Sequence, residues 1–495
     1  YQMAYPLYFL ALSVSSAGIP VAISIITAER VAAKDYRGAR RVFRVSLLLL
    51  AATGLFFSLL LFFGASWLIQ ERFIRDPRAY YSLVALAPAI FFVTILSSFR
   101  GFLQGWQIMT PTAVSQIVEQ VVRVITMLVF ATWLAARGIE YAAAGATFGA
   151  APGAFAGLLV ILLYYWRQRA LLSPQPAPDD TLAEQPGGEI IRRIFRLSLP
   201  ISVSSVMLPV VANLDLFIVP LRLEHAGYTV EAATELFGYL TGMAVPLVNL
   251  ATVLTGALAT SIVPAVSEAN TLGDRELLHR RTAAAFRLAN IVTVPALAGV
   301  WILAEPLSMM LYHAPQAAPA VRALSWSIVL LGIHQVSTGV LQGMGRTFIP
   351  VKNMTISAAA KVGLNWVLTA IPALGIIGAS WATVADIGIA ALLNIYYVRR
   401  YAGFSIDCRA LAKSVLSAAV MGGAVFVTYS FLVTAARSNN LATMLAIAVG
   451  VAVYGLCMLF SGGIGESDIK MVPLIGAPLR IFLKRLRLLR PNDAG

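Results

Sequence analysis

The sequence predicts an all-α polytopic membrane protein, with two parallel-repeat six-helix lobes around a central cavity and two further C-terminal helices. Three observations predict this fold. Of the 495 residues, 59% are hydrophobic and only 12% are charged, whereas soluble domains carry about 25% charged residues. Apolar runs long enough to cross ~30 Å of hydrocarbon recur along the chain, and the strand alternation of a membrane barrel is absent. Short motifs also recur at a spacing near 238 residues.

The apolar runs define thirteen predicted membrane spans, separated by short polar segments. They are 5–28, 45–69, 80–103, 111–135, 142–166, 194–219, 237–266, 286–311, 321–342, 349–371, 376–398, 411–434 and 441–461. We expect fourteen spans in the full protein, because the second half begins with a span, 194–219, that has no partner in the first half. This expectation places one more helix before Tyr1.

Composition divides the chain into five regions. We assign the N-terminal lobe, whose first helix we expect to precede Tyr1, to 1–169, and a cytoplasmic linker rich in proline, glycine and acids to 170–189. The C-terminal lobe covers 190–400, and the two extra transmembrane helices lie within 401–465. Residues 466–495 form a basic amphipathic tail that suits the surface of an anionic membrane.

The distribution of basic residues predicts the orientation. If Tyr1 lies outside, the inner loops and tail hold 28 Lys and Arg residues and the outer loops hold seven. Because cytoplasmic loops are enriched in Lys and Arg, we expect a cytoplasmic C-terminus. The net charge of +14 then reflects topology, and no nucleic-acid partner is predicted. Two cations, Arg123 and Lys361, remain in the middle of spans.

An internal repeat relates the two halves. The segment "GFLQG" (101–105) matches "GVLQG" (339–343), and "AGATF" (144–148) matches "IGASW" (377–381). Corresponding spans keep the same orientation, so the repeat is parallel, with its axis along the membrane normal. Such halves usually enclose a transport site where they meet.

Arg123 and Lys361 occupy one repeat position, 238 residues apart, and each lies on a polar helical stripe. The stripes consist of Gln116, Glu119, Gln120 and Arg123, and of Asn353, Ser357, Lys361 and Asn365. An i,i+4 pair such as Glu119–Arg123 contributes about 0.2–0.5 kcal/mol, whereas a charge at mid-bilayer costs about 2.5–3.5 kcal/mol. Both stripes should therefore line a water-filled cavity. The alternative is that both cations form structural salt bridges.

For each of three acidic residues inside spans, we consider two roles. Glu119 is either a counter-ion for Arg123 or a gating residue. Asp215 either takes part in ion coupling or pairs with Lys361, and Asp386 is either a second coupling or gating residue or pairs with a backbone group. No Walker loop, dinucleotide-binding loop, nucleophile elbow or metal-ligand spacing appears, so no cofactor, no metal site and no enzymatic activity are predicted.

The segments "RGFLQGWQIMTPTAVSQIVEQVVRV" (100–124), "YPLYFLALSVSSAGIPVAIS" (5–24) and "NLDLFIVPLRL" (213–223) resemble one branch of the polysaccharide transporters. It is the stage V sporulation protein B-like and MurJ-type lipid II flippase branch of the MOP (MATE-like) superfamily. The resemblance implies fourteen helices, a central cationic cavity, and a groove for a polyprenyl tail on the last two helices. In MurJ-type relatives the first helix carries cavity arginines, and we expect that helix to precede Tyr1.

The resemblance implies a flippase of the bacterial inner membrane that moves an undecaprenyl-diphosphate-linked sugar from the inner to the outer leaflet by alternating access. The first choice of cargo is the peptidoglycan precursor lipid II, and the protein is expected to act as a monomer among membrane lipids. The alternatives are a flippase for another lipid-linked polysaccharide unit, a MATE-like cation-coupled drug exporter, and a non-transporting scaffold of cell-wall assembly. The sequence leaves the driving force open among membrane potential, Na⁺ and H⁺.

Overall fold

A computed structural model describes residues 18–70, 79–168, 186–404, 407–436 and 438–463. The described part of the chain is helical throughout and contains no strand. It forms two compact units. Unit 1 consists of Tyr1–Leu208, Val263–Leu278 and Gln342–Val351, and unit 2 of Pro209–Ile262, His279–Leu341 and Lys352–Gly495. The predicted linker residues 170–185 and the predicted tail 466–495 lie outside the described residues.

Seventeen α-helices follow one another in the described residues. They are α1 (Ile19–Ala32), α2 (Tyr36–Gln70), α3 (Ala79–Gly105), α4 (Thr110–Ala135), α5 (Ile139–Phe148), α6 (Ala150–Gln168), α7 (Gly187–His225), α8 (Val230–Gly238), α9 (Val245–Thr271), α10 (Arg275–Ile302), α11 (Ala304–Tyr312), α12 (Ala318–Leu324), α13 (Ser327–Gly343), α14 (Phe348–Leu368), α15 (Ile376–Ala402), α16 (Cys408–Ala436) and α17 (Asn439–Phe460). A π-helical segment, Tyr239–Ala244, joins α8 to α9, and a 3₁₀ turn, Pro315–Ala317, precedes α12.

Nine segments of the described chain are long and apolar enough to cross a membrane, and a bent pair of helices would make a tenth. The protein is therefore a multi-pass membrane protein, as predicted. The predicted number of thirteen spans stays a prediction. Helix α14 is not among the nine segments, because the polar stripe that includes Lys361 lowers its hydropathy.

Two predicted spans differ in detail from the helices observed. The predicted span 321–342 consists of a short and a long helix, α12 and α13, which meet at an angle of 45°. The predicted span 142–166 is divided into α5 and α6 at Gly149. Hydropathy reports only the apolar length of a segment, and neither the bend between α12 and α13 nor the interruption at Gly149 changes that length.

The core of unit 1 is built where α1, α2, α3 and α6 meet the start of α7. Phe43 of α2 stacks on Phe102 of α3 with ring centroids 4.5 Å apart, and Tyr165 of α6 lies 5.5 Å from Phe43. Ile190 and Ile194 of α7 complete this buried cluster. Burying aromatic and aliphatic faces together in this way fixes the packing of α3 against its neighbours.

Glycines bring pairs of helices into backbone contact at corresponding places in both halves of the repeat. A Cβ atom added at Gly101 of α3 would lie 2.6 Å from the carbonyl oxygen of Pro20. The equivalent atom at Gly339 of α13 would lie 2.6 Å from the carbonyl oxygen of Ala259. Only glycine permits such an approach. The packing of α1 on α3 is thus repeated by α9 on α13, which supports the parallel repeat.

The turns before α2 and α10 also correspond. Asp35 Oδ1 accepts a hydrogen bond of 2.7 Å from the Gly38 amide, and Asp274 Oδ1 accepts one of 2.9 Å from the Leu277 amide. A carboxylate at this position satisfies an amide that has no partner within the helix. The two aspartates lie 239 residues apart in the sequence, so the turn chemistry follows the same repeat.

In unit 2, the C-terminal pair α16 and α17 packs on α10 and α11. Met421 of α16, Tyr454 of α17 and Leu303, between α10 and α11, belong to one buried cluster. Near the start of α9, the π-helical segment has a wider turn than an α-helix, and the Tyr312 hydroxyl of α11 donates a hydrogen bond of 3.4 Å to the Met243 carbonyl. This bond satisfies one acceptor in the irregular stretch.

Candidate functional site

Unit 1 contains a buried cluster of three charged side chains from two helices. Glu119 of α4 accepts a hydrogen bond of 2.9 Å from Arg100 Nη2 of α3 at Oε2. Its other oxygen, Oε1, accepts one of 2.7 Å from Arg123 Nη2. Arg100 Nε also donates to the Ser115 hydroxyl at 3.1 Å. With two guanidinium groups for one carboxylate, the cluster has one net positive charge in its ionised form.

Glycines on α6 allow the cluster to be buried. A Cβ atom added at Gly153 would lie 2.7 Å from the Glu119 carbonyl oxygen and 2.9 Å from Arg123 Cβ. One added at Gly157 would lie 3.2 Å from Glu119 Cβ. The Glu119 side chain is only 9% exposed as a result. An excess of charge at such a site is costly, which indicates a functional reason for it.

The predicted stripe on α4 separates into two groups in the structure. Glu119 and Arg123 are joined directly, whereas Gln116 and Gln120 are exposed on the helix surface. Arg123 Nε is buried and has no hydrogen-bond partner among the described residues. The guanidinium therefore has donor capacity that Glu119 does not use.

Unit 2 contains a second buried cluster, in which α7 and α14 meet. Lys361 Nζ lies 2.6 Å from Asp215 Oδ2, and Asn365 Nδ2 donates to Asp215 Oδ1 at 2.7 Å. The Lys361 side chain is 7% exposed and the Asp215 side chain 14%. Of the two roles considered for Asp215, pairing with Lys361 is therefore present in this conformation.

Asp386 of α15 adds a second carboxylate to the unit 2 cluster. It interacts electrostatically with Lys361 and Asp215. Ser357 precedes Lys361 by four residues on α14, so both face the same side. With two carboxylates for one ammonium group, the cluster has one net negative charge when both acids are ionised.

Asn353, the remaining member of the second predicted stripe, belongs to a separate polar chain. Its Nδ2 donates a hydrogen bond of 2.8 Å to Asn394 Oδ1 of α15. Asn394 Nδ2 in turn donates to the Thr338 hydroxyl of α13 at 3.0 Å. Asn353 and Asn394 are fully buried, and this chain links three helices of unit 2.

The two polar clusters occupy corresponding positions of the repeat. Four pairs of residues lie 238 positions apart: Arg100 and Thr338, Ser115 and Asn353, Glu119 and Ser357, Arg123 and Lys361. Polarity is kept at all four positions, but the first cluster has an excess of positive charge and the second, with Asp215 and Asp386, an excess of negative charge. The clusters are therefore suited to ligands of opposite charge.

Sequence reasoning missed Arg100 and Asn394. Arg100 was counted among the 28 cations of the inner loops and tail because it stands near the end of the predicted span 80–103, but in the structure it lies within α3 and its side chain donates to Glu119. The repeat contained a signal, since Arg100 and Thr338 are polar at one position. No comparable signal marked Asn394. In the part of the chain that the structure describes, no group of three or more His, Cys, Asp or Glu side chains could hold a metal ion.

Comparisons with known proteins agree with this architecture. The family model "Polysaccharide biosynthesis protein" matches residues 1–270, and the model "MatE" matches residues 240–367. Stage V sporulation protein B of Bacillus subtilis is 30% identical over 96% of this chain and 91% of its own length. Lipid II flippase MurJ of Bacillus subtilis is 27% identical over 92% of this chain and 88% of its own.

Among solved structures, an outward-facing multidrug resistance MATE family transporter of the MOP superfamily superposes with a TM-score of 0.66. The match covers 81% of this chain and 87% of that chain at 19% identity, which shows a shared fold alone. The resemblance noted in the sequence is confirmed by these matches. The chain therefore belongs to the polysaccharide biosynthesis protein family, with stage V sporulation protein B and lipid II flippase MurJ among its relatives.

Proposed function

We propose that this protein is a flippase that carries an undecaprenyl-diphosphate-linked sugar, and specifically lipid II, from the inner to the outer leaflet of the bacterial cell membrane. It acts by alternating access, breaks no covalent bond, works as a monomer and has its C-terminus in the cytoplasm. The observation that carries the proposal is the buried Arg100–Glu119–Arg123 cluster with its net positive charge. A relative named as a lipid II flippase supports the choice of cargo.

The diphosphate of the cargo is the group that the unit 1 cluster would bind. Guanidinium groups hold phosphate oxygens through paired hydrogen bonds, and two guanidinium groups suit the several charges of a diphosphate. In the empty protein Glu119 holds both arginines in position. The diphosphate would take the place of the Glu119 carboxylate, while Gln116 and Gln120 offer neutral hydrogen bonds to the sugar.

Lys361 would contribute to binding only after it leaves Asp215. The ammonium group is held by Asp215 at 2.6 Å, and it lies near the charge of Asp386. Uptake of a proton or a monovalent cation by these carboxylates would free Lys361 for an anionic group, with Ser357, Asn365 and Asn353 on the same helix. This sequence of events would give Asp215 and Asp386 the coupling role expected of intramembrane acids.

A second candidate function is a MATE-like cation-coupled exporter. The excess of carboxylate over ammonium in the unit 2 cluster favours a cationic ligand, and the fold is shared with a multidrug resistance transporter. The positive cluster in unit 1 disfavours a cationic drug at that place. We therefore rank export of cationic compounds below transport of an anionic lipid headgroup.

Reconstitution tests the proposal directly. Purified protein in liposomes should move fluorescent lipid II between leaflets, and Arg100→Ala and Arg123→Ala should abolish or sharply reduce this movement. Arg137→Ala, in the same unit but outside the cluster, serves as the matched control. Movement of a different undecaprenyl-diphosphate sugar with no movement of lipid II would change the cargo. Absence of movement for every lipid-linked sugar, with normal growth rescue of a flippase-depleted strain by both alanine variants, would favour a scaffold.

A further inference from the structure

Two turns of unit 1 contain a larger residue where the repeat-related turn contains glycine. Gln107, which follows α3, has a φ of 59°, and Gly345, 238 positions later, has a φ of 73°. In both turns the amide of this residue donates to the carbonyl three residues earlier, at 2.8 and 2.9 Å. Lys34, which follows α1, has a φ of 59°, and Gly273, 239 positions later, has a φ of 68°. Glycine adopts this left-handed conformation most easily, so the first repeat contains two strained positions that the second repeat avoids.

The side chain of Gln107 makes a contact that glycine could not make. Its Nε2 donates a hydrogen bond of 2.6 Å to Glu268 Oε2 of α9, 161 positions away in the chain. Glycine at position 107 would relieve the backbone strain but would remove this bond. Strained backbone positions persist where the surrounding structure holds them, and they cluster at switch regions. The strain at Gln107 is therefore linked to a contact between distant parts of the chain.

This contact joins the first repeat to the end of a helix of the second. The last part of α9, from Val263 onward, belongs to unit 1, whereas its earlier part belongs to unit 2. Next to Glu268, the Ser267 hydroxyl donates a hydrogen bond of 3.1 Å to the Ile25 carbonyl of α1. Ile25 and Ser267 are 0% and 1% exposed. The repeat-related helices α1 and α9 thus meet near their C-terminal ends, and the Gln107–Glu268 bond lies beside this buried contact.

The repeat does not provide a second bond of this kind. Glu268 corresponds to Glu29 of α1, 239 positions earlier, and Gln107 corresponds to Gly345. An equivalent bond would need a side chain at Gly345, which glycine lacks. Glu29 instead forms an ion pair with Arg193 of α7. The Gln107–Glu268 bond is therefore an addition to the repeat architecture rather than a consequence of it.

We propose that Gln107 and Glu268 form a latch that holds the cytoplasmic ends of the two repeats together and opens when the protein admits cargo from the cytoplasm. This inference rests on the proposed function, because it assumes alternating access with these helix ends at the inner membrane surface. The bond is exposed, so water can satisfy both groups when the ends separate. A latch of this kind stabilises the closed state without preventing it from opening.

Reaction of a buried cysteine tests the latch without any cargo. The reporter is Ile25→Cys in a full-length variant with Cys408→Ser and Cys457→Ser, held in lipid nanodiscs and treated with a water-soluble maleimide. Gln107→Gly and Glu268→Ala should each raise the labelling rate roughly two- to tenfold, the range expected from the loss of one hydrogen bond.

Lys34→Gly is the matched control for the labelling experiment, because it relieves the strain at the related turn and leaves the latch in place. It should leave the labelling rate of Ile25→Cys unchanged. An unchanged rate in Gln107→Gly, or an equal rise in Lys34→Gly, would overturn the latch.

A covalent version of the contact provides the second test. Gln107→Cys with Glu268→Cys, joined by a cleavable bismaleimide, should stop the movement of lipid II in liposomes, and cleavage of the reagent should restore it. Movement at the full rate while the two positions are joined would overturn the latch and leave the proposed function intact. If neither the natural protein nor the unjoined variant moves any lipid-linked sugar, the proposed function fails, and the labelling rates still decide whether the latch exists.

Discussion

The Lys361 ammonium lies 2.6 Å from the Asp215 carboxylate, although the two residues are 146 positions apart in the chain. This contact joins α7 to α14 within unit 2, and both side chains are largely buried. Removing one partner of a buried pair leaves the other charge uncompensated, at a cost of about 3–5 kcal/mol. We therefore expect substitutions that break this ion pair to have larger effects than other substitutions in the cluster.

Asp215→Asn should impair transport and lower thermal stability more than Asp386→Asn. The first change removes the carboxylate in contact with Lys361, whereas the second leaves that ion pair intact and the cluster neutral. Complementation of a flippase-depleted strain at matched protein levels gives the transport order. Full activity of both single variants would remove any coupling role for either acid.

Lys361→Arg should retain more transport than Lys361→Met. Arginine keeps the positive charge and can still pair with Asp215, whereas methionine leaves the Asp215 carboxylate buried with only the Asn365 amide as its partner. Liposome flipping rates of the two variants, measured with the same cargo, provide the comparison. Equal rates would mean that the charge at this position is structural.

Arg100→Lys and Arg123→Lys should each be partly active, while the alanine variants should lose at least tenfold in flipping rate. Lysine keeps the charge but lacks the planar fork that holds phosphate oxygens through two bonds. A hydrogen bond to a charged group contributes about 1.5–3 kcal/mol, which corresponds to a loss of this size. If alanine at Arg100 were as active as the natural protein, the site would involve Arg123 alone.

Gly153→Ala should destabilise unit 1 by about 1–3 kcal/mol, since the added methyl group would overpack the contact between α4 and α6. The matched control is Gly64→Ala on α2, where an added Cβ atom meets nothing within 4 Å. This control should be neutral or stabilising by up to about 1 kcal/mol, because alanine favours a helix over glycine. Thermal unfolding in detergent micelles distinguishes the two, and equal melting temperatures would contradict the prediction.

Asn394→Leu should destabilise unit 2 by about 1–3 kcal/mol, because it leaves the Asn353 amide without its hydrogen-bond acceptor in a buried site. The double variant with Asn353→Leu should cost less than the sum of the two single changes, since the two amides interact directly. Unfolding measurements on the four proteins of this cycle give the coupling. Strict additivity would show that the hydrogen bond contributes nothing to stability.

Much of the fold follows from the sequence, because lipid requires every backbone group to be bonded within a helix, and apolar length therefore reports directly on spans. The pairing of Glu119 with Arg123 was also predictable, since both lie on one helix four residues apart. Pairing of Asp215 with Lys361 was one of two readings, as both charges stand inside spans with few other partners.

Contacts between distant helices were less accessible to sequence reasoning. Arg100 stands near the end of its apolar run, and hydropathy does not report that its side chain turns toward Glu119 of the next helix. Asn394 was missed because a single amide within an apolar helix has no periodic signal, and its partners Asn353 and Thr338 lie 41 and 56 residues away. The bend between α12 and α13 depends on packing around a two-residue turn, and no proline marks that turn in the sequence.

The glycine contacts between α1 and α3, and between α9 and α13, have a mechanical consequence. At these contacts a carbonyl oxygen of one helix lies directly against a glycine of the other, which leaves little side-chain volume there to absorb a sliding motion. The two helices of each pair must therefore separate before one can slide along the other, and separation breaks all of their contacts at once. We therefore expect the two helices of each pair to move as one rigid body, so that a displacement at one end of the pair also moves the other end.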